Sequence, residues 1–161
     1  MRAFRVEDLA DYVAMWADPV VLKHIGIPPS PREQTWTRLL RAHGHWTIMG
    51  FGFWAVEETA SGRFVGEVGF AEFMREMEPS LVGTPEIGWV LAPWCYGRGY
   101  ATEAAQTAIE WWDTNRGRTR TACIIDPDNR PSLRVAEKCG YREFARSTYK
   151  DHPIVLLERL P

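Results

Sequence analysis

Cysteine is scarce in this chain and odd in number: Cys95, Cys123 and Cys139 are the three present, and no two share a paired spacing. That excludes a disulfide framework and points to a reducing compartment. Histidine is nearly as sparse (His24, His43, His45, His152), and none stands at a metal-ligand spacing from a second histidine or cysteine. His43 and His45, two apart, would fall on different faces of a helix, so no metal is expected. Basic excess is missing too: 19 Lys and Arg against 21 Asp and Glu give a net charge of −2, so no nucleic-acid partner is expected. No run approaches the roughly 18 apolar residues of a membrane span, and the opening MRAFRVEDLADYV holds no apolar segment of the secretory type. Repeats, low-complexity tracts and interdomain linkers are also lacking. What remains is ordinary: 161 residues, 45% hydrophobic. The expectation is one domain over 1–161, soluble and cytoplasmic, with no membrane partner.

Periodicity supplies the elements. Residues 2–5 read as a short strand. Leu9, Val13 and Trp16 recur at helical spacing over 7–17. SPRE at 30–33 is a helix start, with Ser30 as N-cap, Pro31 in the first turn and Glu33 closing a capping box, for a helix to about His43. Strands are expected over 51–57, 63–73 (weakened by Gly66 and Gly69) and 85–92, with a polar loop at 74–84. Ala101, Ala104, Ala105, Ala108, Ile109 and Trp112 form one apolar helical face, its small side chains suited to close packing on a sheet. TRTACIID (119–126) reads as a buried strand. Next comes a helix with Asn129 as N-cap, Pro131 in its first turn and Gly140 as its stop, then strands near 141–148 and 153–159. The order β-α-α-β-β-β-α-β-α-β-β implies an α/β fold with a mixed sheet between helices.

The stretch EIGWVLAPWCYGRGYATEA (86–104) carries the chemistry. Gly97 and Gly99 stand between a strand and the alanine-faced helix. Glycine there permits positive φ and a close backbone approach. Successive turn amides make an anion nest, and the next helix adds unpaired N–H groups and a positive dipole end. The result is a phosphate site that needs no lysine, with Arg98 as a cation at the rim. A tight turn without a ligand is the plain alternative. A Walker loop is excluded because G-x-x-x-x-G-K-[ST] is missing. A Rossmann fingerprint would want Gly or Ala where Thr102 stands, and would lie on the first strand of its unit.

The same string resembles the coenzyme A-binding segment of the GNAT superfamily of N-acetyltransferases, most of all the branch that includes ribosomal-protein amino-terminal acetyltransferases. DNRPSLRVAEKCGY (128–141) is similar to that family's N-x-x-S-x-x-x-x-E-K-x-G-F, and RVEDLADYVAMWADPVV and GFGFWAVEETASGRFVGEVGF extend the likeness over nearly the whole chain. The resemblance implies a GNAT-like acyl-CoA N-acyltransferase fold: a twisted mixed sheet of about six or seven strands flanked by about four helices. It implies acetyl-CoA as donor, its diphosphate held by the backbone of Tyr96, Gly97, Arg98, Gly99, Tyr100, Ala101 and Thr102. The pantetheine arm would pair with the strand near Val90 and Leu91, with Asn129 and Ser132 beside it. Members often dimerise, so a homodimer is one expectation. Two departures stand out. Trp94 occupies the usual Gln/Arg position, and Ala136 replaces the tyrosine that often serves as general acid; besides these, Trp89 stands where the family string has tyrosine and Tyr96 where it has tryptophan.

An amine attacks a thioester only when neutral. An α-amine, with a pKa of about 7.8, needs less help from a base than a lysine at about 10.4. Glu86 is the candidate base, direct or through water, on one strand face with Gly88 and Val90; the alternative is an ion-pair partner or a surface carboxylate. Ser132 is the candidate donor to the departing thiolate; the alternative is a helix-start serine serving local amides. Cys95 in the loop raises a covalent acyl-cysteine route, but no histidine lies near it in sequence; Cys123 and Cys139 read as core. Glu67 and Glu72 either draw a cationic acceptor or form a solvated strand face. Trp36, Trp46 and Trp54 read as packing, with Trp46 or Trp54 lining an acceptor cleft as the second option. The expected function is acetyl transfer to a primary amine: a protein amino terminus, a polyamine-like metabolite or an aminoglycoside-type drug. The alternatives are a non-catalytic acyl-CoA sensor on the same fold and a nucleotide-binding domain.

Overall fold

The structure is a computed structural model that describes residues 1–161. Eleven elements follow one another: α1 (Leu9–Ala17), α2 (Pro19–Leu22), α3 (Arg32–Met49), β1 (Phe53–Glu57), β2 (Phe64–Ala71), β3 (Glu86–Leu91), α4 (Tyr100–Arg116), β4 (Thr121–Ile125), α5 (Arg130–Lys138), β5 (Arg142–Tyr149) and β6 (His152–Arg159). The strands form one six-stranded sheet in the order β1-β2-β3-β4-β6-β5. Neighbours pair antiparallel except β3 and β4, which run parallel. The sheet is mixed, as the element order implies, and the helices divide between its faces.

On one face α4 and α5 seat Ala104, Ala105, Ala108, Ile109, Trp112 and Ala136 against Val68, Phe70, Ile87, Cys123 and Val155. The alanine stripe allows the close approach. On the other face α1, α2 and α3 bring Tyr12, Met15, Trp16, Leu22 and Leu39 onto Ala55 and Phe64. There the 72–85 loop covers the rest of the sheet, with Leu81 packed on Ala122, Ile154 and Leu156.

Five expectations need correction. Residues 2–5 make a single bridge, Arg2 to Ala55, instead of a strand. The Arg2 guanidinium is claimed by Asp8 and Glu57, and the chain turns into one 3-10 turn at Val6–Asp8. Ser30 is not the N-cap of α3; it is buried, its amide donates to the Trp16 carbonyl, and Pro31 stands at the cap. That helix runs through Gly44 to Met49, because Trp46 packs edge-on against Trp54 and Trp111 at 4.8 and 5.1 Å and holds the last turns. A short α2, capped by the Asp18 carboxylate on the Val20 amide at 2.8 Å, lies between the two expected helices, where no element was expected. Gly66 does not weaken β2: it marks a bulge at φ 151°, where an added Cβ would lie 2.2 Å from the Val90 carbonyl oxygen.

Candidate functional site

The parallel pair β3–β4 touches in register at one point, Glu86 opposite Ala122, beside a bond from the Ala122 amide to the Pro85 carbonyl at 3.0 Å. From there β3 follows β2 and β4 follows β6, leaving a wedge closed at Glu86 and opening toward Leu91. Hydrogen-bonding direction alternates along a strand. The Ala92 amide bonds β2 at the Val65 carbonyl, 2.8 Å, while the Pro85 carbonyl faces β4. Gly88 and Val90 therefore spend their main-chain groups on β2, and Ile87, Trp89 and Leu91 turn theirs into the wedge. Of the two residues expected to pair with an extended ligand, Leu91 offers its backbone there and Val90 does not. The Glu86–Ala122 bridge takes up the Ile87 amide, so the free edge runs from Leu91 to Trp89, about 7 Å.

The glycine turn opens onto the wide end. A 3-10 turn at Pro93–Cys95 leads to Tyr96, then Gly97 and Gly99 adopt left-handed φ of 73° and 88°, and α4 begins at Tyr100. The first intrahelical donor is the Glu103 amide, to the Gly99 carbonyl at 3.1 Å. The amides of Gly97, Arg98, Gly99, Tyr100, Ala101 and Thr102 donate no hydrogen bond within the protein, and no side chain caps the helix. The Tyr96 amide is used, on the Pro93 carbonyl. Arg98 is half-exposed at the rim and leans on the Glu58 carboxylate at 3.1 Å, which also takes the Tyr100 hydroxyl. Trp94, at the position where the resemblance expects Gln or Arg, donates its indole N–H to the Phe64 carbonyl at 3.2 Å under the Arg63 guanidinium. It anchors the loop and leaves anion contact to the backbone.

Across the wedge, Asn129 caps α5: its Oδ1 accepts from the Ser132 amide at 3.2 Å. Trp89 reaches over from β3 and donates Nε1–H to Ser132 Oγ at 3.4 Å. Ala136 is fully buried and brings no proton donor. At the closed end Glu86 is buried, and both its oxygens accept from Arg75 Nε at 2.9 and 3.0 Å. Burial pushes the Glu86 carboxyl above the ordinary carboxylate range, although Arg75 pulls it down. Next to it on the same face, the Phe53 ring lies over Gly88, where an added Cβ would meet it at 3.1 Å.

Neither reading of Glu67 survives as a surface feature. It is buried on the α1–α3 side and accepts from the Tyr12 hydroxyl at 2.7 Å, and burial raises its pKa. Glu72 ties down the loop by accepting from the Gly83 amide at 2.7 Å. Cys95 is buried with its thiol pushed up by desolvation and directed at the Ala92 carbonyl, a poor nucleophile; Cys123 and Cys139 are core. Trp46 and Trp54 pack with Trp111. No group of three His, Cys, Asp or Glu could hold a metal, and no helix is long and apolar enough to cross a membrane. The sequence reading missed Arg75, Phe73 and Tyr149 around Glu86. They converge from an irregular loop and a distant hairpin, so no spacing signals them. Trp89 was visible only as an unusual residue in the motif.

The comparisons agree on one family. A family model described as an acetyltransferase (GNAT) domain matches residues 1–142. YkkB of Bacillus subtilis, an uncharacterized protein, is 33% identical over 110 residues, 68% of this chain and 62% of its own length. The chain thus spans less than two thirds of that relative. A solved structure from Bordetella pertussis, provisionally named a GnaT-family acetyltransferase, is 30% identical with a TM-score of 0.85, covering 98% of this chain and 93% of that one. Spermidine N-acetyltransferase from Vibrio cholerae, solved with CoA and spermine, shares the fold at 16% identity and a TM-score of 0.76, over 99% and 93% of the two chains.

Proposed function

The chain belongs to the GNAT acetyltransferase family, and on that premise we propose that it is an N-acetyltransferase that moves the acetyl group of acetyl-CoA directly to a primary amine. The observation that carries the reading is the run of unpaired amides from Gly97 to Thr102 at the mouth of a wedge between parallel strands. They suit a diphosphate, and the free edge at Leu91 and Trp89 suits an amide-bearing arm. The Vibrio neighbour, solved with CoA and spermine, supports the ligand class.

The amine nitrogen attacks the thioester carbon, and the tetrahedral oxyanion collapses by expelling the CoA thiolate. Glu86, at the closed end of the wedge, takes the proton released from nitrogen through water. Each of its oxygens keeps a lone pair beyond the Arg75 contact, and burial, which raises its pKa, makes it a stronger base than an exposed carboxylate. Ser132 donates a hydrogen bond to the departing sulfur, and the proton that finally settles on sulfur is the one Glu86 took from nitrogen, passed on through solvent. Its Oγ accepts from Trp89, so its own hydrogen is free to point elsewhere. Asn129 holds the start of α5, and with it Ser132, in place.

The sensor reading is favoured by one observation, the donorless Ala136. The deciding experiment measures thiol release from acetyl-CoA with a panel of primary amines, alongside CoA affinity. Amine-dependent release supports the transferase. Tight CoA binding with no release for any amine supports the sensor.

A further inference from the structure

The arginine at the closed end of the wedge uses its hydrogen bonds unusually. Arg75 gives only Nε–H to Glu86, shared between the two oxygens; neither terminal nitrogen donates to a protein acceptor. Two other little-exposed arginines that are paired with carboxylates do otherwise. Arg2 engages Asp8 and Glu57 through Nε and both terminal nitrogens, and Arg159 grips Asp113 with both of its terminal nitrogens. An arginine that merely neutralised a buried carboxylate would present its terminal fork in the same way.

The Arg75 guanidinium is also fixed. Its carbon lies 4.4 Å from the Phe73 ring centre and 4.9 Å from that of Tyr149, and its side chain is 18% exposed. Two rings and a carboxylate behind Nε hold the plane, and the outer edge keeps four N–H groups free. Glu86, the residue it grips, marks the point where β3 and β4 meet, and thus the end of the arm's path.

We propose that Arg75 is the anion anchor of the acceptor site, and that the acceptor amine belongs to a molecule that also carries a carboxylate, gripped by the two terminal nitrogens of Arg75. This rests on the reading of the wedge as an acetyl-transfer site. A planar fork suits a carboxylate, and a lysine there would not replace it. The carboxylate belongs either to a small amino acid or to an acidic residue near a peptide amino terminus.

Binding of acetylated products tests this without turnover. The CoA-loaded protein is titrated calorimetrically in two arms. One uses ω-acetamido carboxylates of increasing chain length against their carboxamides. The other uses N-acetylated dipeptides ending in aspartate side chains against their asparagine counterparts. In at least one arm a carboxylate binds about tenfold or more tighter than its amide. Arg75→Lys reduces that ratio, and Arg75→Gln brings it to about one. Because Arg75→Gln strands a buried carboxylate, the double variant Arg75→Met with Glu86→Gln repeats the measurement with both charges removed. Equal affinities throughout both arms, or a ratio that persists in the folded double variant, overturn the proposal. Amine-dependent thiol release is scored separately. Carboxylate preference without release leaves the anchor standing and removes the transferase; release without preference does the reverse.

Discussion

Replacing Ala101 by proline removes one amide from the proposed diphosphate grip and little else. Ala101 is the second residue of α4, and its N–H donates to no protein group. The chain already carries proline at the equivalent place in α5, where Pro131 follows Arg130, and proline is tolerated in a first turn because no intrahelical bond is lost. The change in folding stability should therefore stay within about 1 kcal/mol. The effect on CoA should be much larger. A hydrogen bond to a charged group contributes about 1.5–3 kcal/mol, so CoA should bind about 10- to 150-fold more weakly. Calorimetric titration with CoA measures the loss, and chemical denaturation gives the stability. Acetyl-pantetheine, which lacks the diphosphate, is the control, and its affinity should not change. A folded Ala101→Pro protein that binds CoA as the parent does would refute the assignment of these amides to the diphosphate.

Glu86→Gln should lower kcat by about a hundredfold or more while CoA affinity holds. The parent's rate should fall on the acid side at a pH above the ordinary carboxylate range, because burial raises the Glu86 pKa, and pH–rate profiles should show that limb missing in the variant. Ser132→Ala should cost about tenfold or more in kcat with thioester donors and much less with a donor whose leaving group is a better anion; stopped-flow comparison of the two donors checks this. Glu67 is raised in the folded state by burial, so between its unfolded and folded pKa the native protein holds the extra proton and stability declines as pH rises through that window. Glu67→Gln keeps a partner for Tyr12 and removes the titration. Denaturation at about pH 5 and about pH 8 should show a decline in the parent that is missing in the variant.

Much of this was legible because it is local. The helix over 100–116 follows from alanines at one face, and the left-handed glycines follow from a turn that a Cβ would strain. The Asn129 cap and the stop at Gly140 are written in neighbouring residues, and both are in the structure. What was not legible depends on contacts between distant segments. A glutamate in a period-2 strand looks the same whether it meets water or a tyrosine. Glu67 is buried because Tyr12, 55 residues away, delivers its hydroxyl. Glycine at 44 suggests an end to α3, but indole packing against Trp54 and Trp111 outweighs a propensity cost of about 1 kcal/mol. The fork at Arg75 depends on Phe73, Tyr149 and Glu86 converging from three segments.

The two departures from the family pattern on the α5 side of the wedge bear on each other. Ala136 is wholly buried and carries no hydroxyl, so a donor to the departing sulfur has to come from another residue. Trp89, at a place where tyrosine is usual, sends its N–H to Ser132 across the same gap. An indole can only donate. Ser132 Oγ therefore has an acceptor site occupied and its own hydrogen available, the polarity a departing thiolate requires. A tyrosine at 89 could have accepted that hydrogen and left the sulfur without a donor. The tryptophan thus selects the direction of the serine's proton, and Trp89→Tyr should impair thiolate expulsion even though it restores the commoner residue.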